Sequence, residues 1–341
     1  MRIAAAGLLL LAAACGKAAP AEQVLAQYEG ASMGSSWHAS VAHRADRAAP
    51  APEELQGILN EVDRLMSTWK KDSELSRFNA WSPAGPEESF PVSAWTAAAV
   101  AEALEAAEIS GGAFDPTVLP LVELWGFGAP GERADEPTEV EIATALSRTG
   151  WRRVHVRERG LSKDAAGISL DLSGSAPGFA ADLICDRLRA LGFPDHLVEV
   201  GGEVRVGGRA PGGRPWRIGI EQPVDGAEQG ELLNVAIEVL GGAVTTSGDY
   251  RKFRLNAAGK RLSHEIDPRT GRPIDNLLAS VTVTAPKCGQ ADALATAFMI
   301  LGPEEALALA ERLPEVEAYL LVREGAGFRA LRTSGFPPPA E

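Results

Sequence analysis

The chain has 341 residues, with 33 Lys and Arg against 46 Asp and Glu, a formal net charge of −13. That balance excludes nucleic acid or an anionic membrane surface as its main partner, because both would repel it. Apolar residues make up 45% and charged residues 23%, the proportions of a soluble globular protein with chain enough for one large domain or two smaller ones.

Arg2 precedes an apolar run over residues 3–14, the length of a signal-peptide core and too short to cross a bilayer. Small residues then lead into Cys15, giving Leu11-Ala12-Ala13-Ala14-Cys15. This resembles a bacterial lipobox, with its leucine one place early; a plain secretory signal cleaved near Ala14 is the other reading. Residues 1–14 are therefore expected to be a signal peptide and 15–26 a lipidated cysteine with its tether. The remaining cysteines, Cys185 and Cys288, could pair in an exported protein, but Cys185 falls on an apolar helical face and reads more simply as a small buried residue.

Residues 28–43 read as an edge strand interrupted at Met33-Gly34-Ser35-Ser36. Over residues 52–69, Leu55, Ile58, Leu59, Val62, Leu65 and Met66 follow the spacing of an amphipathic helix. Residues 73–79 are a turn or short helical piece, and 81–91 a Pro-rich loop. Ser93 caps an Ala-rich helix running to about Ser110, where Gly111-Gly112 breaks it. Residues 126–137 are loop, and Thr138 with Glu141 forms a capping box for a helix ending at Gly150. Residues 154–157 are a strand.

In residues 167–192 (GISLDLSGSAPGFAADLICDRLRALG), Ile168, Leu170 and Leu172 alternate as in a half-buried strand. A turn of small residues, Ser173 to Ala176, leads to Pro177, which suits a first helical position. Phe179, Ala180, Leu183, Ile184, Leu188 and Leu191 then form a helical stripe that stops at Gly192. Such a turn at a helix N-terminus offers backbone N–H groups to an anion such as a pyrophosphate. An ordinary strand–helix connection has the same pattern.

Strands follow at 197–200, 203–206, 216–221 and 233–240, with Gly- and Pro-rich spacers suited to hairpins. Shorter ones are expected at 243–246, 252–256 and 280–284. Helices at 290–301 and from Pro303 to near Leu313 come next, then strands at 319–322 and 328–331 and a Pro-rich tail at 334–341. Helices with mostly antiparallel strands make an α+β fold, and no linker divides residues 27–333.

Three polar clusters interrupt this pattern. Asp292 and Thr296 are i, i+4 and share a helix face. Two hard oxygen ligands suit Mg2+ better than zinc, although a solvated face has the same spacing. Their neighbours Phe298 and Met299 point to burial, where an unpaired Asp is costly. His264 precedes the turn Asp267-Pro268-Arg269-Thr270-Gly271 and is either a general acid or base or a strand-end residue. Ala113-Phe114-Asp115-Pro116 is a turn with Phe114 as a stacking surface.

Nine segments resemble, in order, the FAD:protein FMN transferases, the ApbE family of bacterial flavin transferases. They are MGSSW (33–37), LMSTWKKDSELSRFN (65–79), GAFDPTV (112–118), LDLSGSAPGFAAD (170–182), EVGGEVRVGG (199–208), PWRIGIEQP (215–223), TTSGDYRKF (245–253), SHEIDPRTGRP (263–273) and SVTVTAPKCGQADALATAFMILG (280–302). The resemblance implies a single T-fold-like domain of antiparallel sheets and packed helices that takes FAD as substrate and binds Mg2+. It implies cleavage of the FAD pyrophosphate, release of AMP and transfer of FMN to a Thr or Ser of a target flavoprotein. It places Met33, Trp69, Ala113, Phe114, Asp115, Asp171, Pro177 and Ile266 around FAD. The Gly174 carbonyl, Asp292 and Thr296 would hold the metal, and His264 would be catalytic. Many members being periplasmic lipoproteins, it also implies a periplasmic protein tied to a membrane through Cys15.

This chain departs from the family at Pro177, where Lys is frequent, at Ala295, where a second acid can occur, and at Glu203, where Asp is more usual. Pro177 supplies neither charge nor a backbone donor. Two alternatives follow: an FAD pyrophosphatase giving FMN and AMP, and an FAD-binding lipoprotein without catalysis.

Overall fold

A computed structural model describes residues 23–340 apart from 86–87, 134, 227–230, 251 and 257. Cys15 and the expected signal peptide lie outside the described residues. Strands β1 (Gln23–Ser32) and β2 (Ser35–Arg44) form a hairpin that reverses at Met33 and Gly34, both at positive φ. The interruption expected within one strand is thus a full turn. Helices α1 (Pro52–Met66), α2 (Glu74–Ala80) and α3 (Ala94–Ile109) follow. Ser73 and Ser93 cap the last two by accepting the N–H three residues on. Next come α4 (Leu119–Leu124) and α5 (Glu139–Leu146), the latter opened by the expected Thr138–Glu141 capping box.

Strands β3 (Val154–Arg157) and β4 (Gly160–Lys163) make a small hairpin, followed by α6 (Ala176–Ala190). Then come β5 (His196–Val200), β6 (Glu203–Gly207), β7 (Trp216–Glu221), β8 (Leu233–Val239) and β9 (Gly242–Gly248). Short β10 (Phe253–Leu255), β11 (Arg261–Ser263), β12 (Ile266–Asp267) and β13 (Arg272–Pro273) precede β14 (Leu278–Ala285). Helices α7 (Cys288–Leu301) and α8 (Pro303–Ala310) and strands β15 (Glu317–Glu324) and β16 (Gly327–Arg332) complete the order.

The main sheet runs β1-β2-β5-β6-β9-β14-β15-β16, and every neighbouring pair is antiparallel. Its two faces follow from the period of two along each strand. Val204, Val206 and Val244 pack under the β7–β8 hairpin with Trp216, Ile218, Ile220, Ile237 and Phe336. Ala243, Val281 and Val283 face the larger core built with α1, α3, α6 and α7. A third cluster joins Leu121 and Trp125 to Ile142, Leu262 and Ile266. The fold extends past residues 27–333 at both ends: β1 begins at Gln23, and the Ala340 N–H donates to the Ala236 carbonyl.

Residues 167–172 depart from expectation. Burial alternates only as far as Leu170, with Asp171 and Leu172 buried as well, and the residues join no sheet. Side chains do the work of a neighbouring strand. Asn79 accepts the Leu170 N–H at 2.7 Å and donates to the Leu170 carbonyl at 2.8 Å. The Lys163 ammonium, 1% exposed, donates to the Phe78, Asn79 and Ile168 carbonyls at 2.9 Å each. Burial lowers the Lys163 pKa to about 8, so it stays protonated at neutral pH and fills all three acceptors.

Asn79→Ala removes both partners of Leu170. We expect a loss of about 1–3 kcal/mol in urea unfolding, the cost of part-buried backbone groups left unmade. A loss under about 0.5 kcal/mol would mean that water replaces the amide without penalty.

Candidate functional site

Helices α6 and α7 meet near their N-termini and hold each other through their first two turns. The α7 N-cap, Lys287, makes no side-chain cap. Instead the Cys288 and Gly289 N–H groups donate to Asp182 of α6 at 2.8 and 3.0 Å. In return the Gly178 N–H of α6 donates to Asp292 of α7 at 3.2 Å. Glycine at 178 is what lets the backbones meet: a Cβ there would lie 2.7 Å from the Cys288 carbonyl carbon. Asp182 is also ion-paired with Arg205 at 3.1 Å, and Arg205 donates to the Pro286 carbonyl just before α7.

This contact places the expected metal ligands together. A Cβ on Gly174 would lie 3.2 Å from the Thr296 hydroxyl and 3.4 Å from the Phe114 ring. Ser247 of β9 lies 3.4 Å from the same Thr296 hydroxyl. Asp292 is 5% exposed, and burial pushes its pKa up to about 7 against the opposing pull of the Gly178 N–H. A buried carboxylate beside a hydroxyl and a side-chain-free turn is a hard oxygen set that fits Mg2+. Among the described residues no three His, Cys, Asp or Glu side chains cluster as metal ligands. One carboxylate leaves coordination positions for phosphate oxygens and water, as Mg2+ prefers.

The helix terminus does not offer the expected row of free donors. The Ser175 and Ala176 N–H groups donate to the Leu172 carbonyl, and Phe179 donates to the Ser175 carbonyl. Gly178 is spent on Asp292, and Pro177 has no N–H. A pyrophosphate at this turn would thus find few free backbone donors in the first turn of α6.

The Ala113–Asp115 loop lies against this turn. Ser110 accepts the Phe114 N–H at 3.1 Å, and the Pro116 carbonyl accepts the Asp171 N–H at 2.7 Å. Asp115 accepts from the Thr117 N–H and hydroxyl and from the Trp151 N–H, while burial raises its pKa. Asp171 accepts the Ser173 N–H at 2.9 Å. Both carboxylates thus shape the loops that carry them. Ala113, Phe114, Asp115, Asp171, Gly174, Pro177, Asp292 and Thr296 form one contiguous set.

The other four residues stand on separate elements. Met33 is half-buried in the β1–β2 turn, and Trp69 is 68% exposed between α1 and α2. Ile266 is buried in the third core cluster. His264, half-buried between β11 and β12, has Nδ1 2.9 Å from the Lys252 carbonyl and its ring edge-on to Phe127. A carbonyl can only accept, so Nδ1 carries the proton and Nε2 keeps its lone pair. Crowding around the ring, then the Lys252 charge, lowers its pKa to about 4, which leaves it neutral at ordinary pH.

Sequence reasoning missed Asp182, Ser247, Asn79 and Glu265. Asp182 lies one turn from Gly178, but its partners are 106 and 107 residues away. Glu265, beside His264, is buried with Ser263 as its hydrogen-bond partner. Burial and then the charge of Asp249 raise its pKa to about 8.

The ApbE family model matches residues 33–320. The chain is 40% identical over 338 residues to the FAD:protein FMN transferase of Vibrio cholerae, covering 98% of this chain and 97% of that one. It is 37% identical over 313 residues to the FAD:protein FMN transferase of Escherichia coli, covering 90% and 87%. The solved flavin transferase ApbE from Vibrio cholerae matches with a TM-score of 0.81 and 38% identity, over 93% of this chain and 99% of that one. The apo form of Pseudomonas stutzeri flavinyl transferase ApbE matches at 0.80 and 39% identity, over 92% and 96%.

The buried proton on Glu265 gives a signed pH dependence. The folded state holds that proton up to about 8, whereas an unfolded Glu releases it near 4.5, so stability falls as pH rises through this window. Glu265→Gln is neutral throughout; it should match the wild type near about pH 5 and exceed it at about pH 9 in urea unfolding. An equal difference at both pH values would show that Glu265 is not protonated in the fold.

Proposed function

The chain belongs to the ApbE family, and on that premise we propose that it is a Mg2+-dependent FAD:protein FMN transferase acting on a Thr or Ser of a target protein. The observation that carries this reading is the Thr296 hydroxyl beside Gly174, with Asp292 on the same face of α7 and bonded to the Gly178 N–H of α6. The Gly174 carbonyl, the Asp292 carboxylate and the Thr296 hydroxyl would hold the metal. When bound, Mg2+ supplies the positive charge that neutralises the pyrophosphate and eases departure of AMP.

The acceptor hydroxyl oxygen bonds to the phosphorus of the FMN half, and the bond from that phosphorus to the bridging oxygen breaks. AMP leaves with the bridging oxygen. Nε2 of His264 takes the hydroxyl proton, its Nδ1–H being fixed on the Lys252 carbonyl. Phe114, packed beside Gly174, supplies an aromatic wall at the metal turn, and exposed Trp69 supplies a stacking surface for the flavin.

Purified chain with FAD, Mg2+ and a flavoprotein acceptor should yield AMP and acceptor carrying FMN in equal amounts. AMP without labelled acceptor would favour the pyrophosphatase, and FAD binding without AMP the non-catalytic protein. Asp292→Asn keeps the shape but loses the charge a hard cation needs, and should lose at least about tenfold in turnover at limiting Mg2+. Thr296→Val should lose less. Wild-type turnover by Asp292→Asn across a magnesium titration would remove Asp292 from the site.

The same reading includes a periplasmic protein tied to a membrane through lipidated Cys15, supported by the lipobox-like sequence. Among the described residues no helix is long and apolar enough to cross a membrane. Cys15→Ser should move the protein from the membrane fraction to the soluble or unprocessed pool. Unchanged membrane association, or a mature N-terminus upstream of Cys15, would refute the anchor.

A further inference from the structure

Gly178 and Asp182 are i, i+4 on α6, and Cys288 and Asp292 are i, i+4 on α7, so each pair lies on one helix face. The two faces meet through a two-point brace. One end is the Gly178 N–H on Asp292 at 3.2 Å, and the other is Asp182 on the Cys288 and Gly289 N–H groups at 2.8 and 3.0 Å. Sliding α7 by one residue along α6 would break both ends together. The Gly174 turn leads into α6, whereas Asp292 and Thr296 ride on α7, so the register of the helices sets the spacing of the metal ligands.

We propose that Asp182 is a positioning residue for the metal site: by bonding the first two amides of α7 it fixes that helix against α6, and with it Asp292 and Thr296 against the Gly174 turn. The inference rests on the metal-site reading above. Asp182 also occupies the end of α7 where an anion is favoured by the helix dipole, and its pairing with Arg205 holds the carboxylate in place. Outer-shell partners of this kind orient the ligands rather than touch the ion.

The test measures Mn2+ binding by electron paramagnetic resonance on the purified full chain, with no turnover required. Asp182→Ala should weaken Mn2+ binding by about ten- to a hundredfold, the usual cost of losing an outer-shell partner. Asp182→Asn, whose amide oxygen can still accept from the paired N–H groups, should recover most of that loss. Folded Asp182→Ala with wild-type Mn2+ affinity and only a lower melting temperature overturns the proposal. So does an Asp182→Asn as weak as the alanine variant, since charge rather than register would then govern. If Asp182→Ala does not fold, Asp182→Ser replaces it under the same criteria, its hydroxyl being too short to reach the amides. Asp292→Asn is the control: wild-type Mn2+ binding by that variant, or none by the wild type, refutes the metal site itself.

Discussion

Everything near the candidate site depends on two helix N-termini meeting at a glycine. Helices end with amide groups that need acceptors, and burying those ends without partners is costly. Here each helix supplies the other's acceptor, Asp182 for α7 and Asp292 for Gly178 of α6. The arrangement needs a backbone approach that only glycine at 178 permits. It uses the two acids unequally. Among the described residues Asp182 accepts two N–H groups and pairs with Arg205, while Asp292 has the single Gly178 N–H as its protein hydrogen bond. Asp292 is therefore the acid with coordination capacity to spare.

That inequality decides the electrostatics. The protein carries −13, and its substrate class brings a charged pyrophosphate. A free helix N-terminus would offset some of the charge, but the α6 donors from Ser175 to Phe179 are spent inside the protein. A cation at Asp292 answers two needs together, the carboxylate's burial and the phosphate charge. On the proposed reading the site would therefore work through a bound metal rather than through a phosphate cradle built from backbone.

The sequence carried this logic only where it was local. Ser93 and the Thr138–Glu141 box cap their helices as their spacing predicts. Asp292 and Thr296 share a face because helical period is a local property. Ile168, Leu170 and Leu172 alternate in sequence like a strand, yet what satisfies the Leu170 backbone is Asn79, 91 residues earlier, with Lys163 on the Ile168 carbonyl. Periodicity reports burial and says nothing of the hydrogen-bond partner. Asp182 was hidden for the same reason, reading as one more polar residue on a helix. The short helix α4, six residues around Pro120, was missed because it is too brief to show a period.

Pro177 follows the same accounting. At the start of α6 the N–H groups need acceptors. A residue without an N–H removes one donor from that requirement and fixes φ where the helix begins. A lysine there, as is frequent in the family, would add a cation near the phosphates. Proline instead adds rigidity next to Gly178, the residue on which the helix contact turns. In this chain the first turn of α6 thus serves to hold Asp292, and the metal that Asp292 would bind is left to meet the substrate's charge.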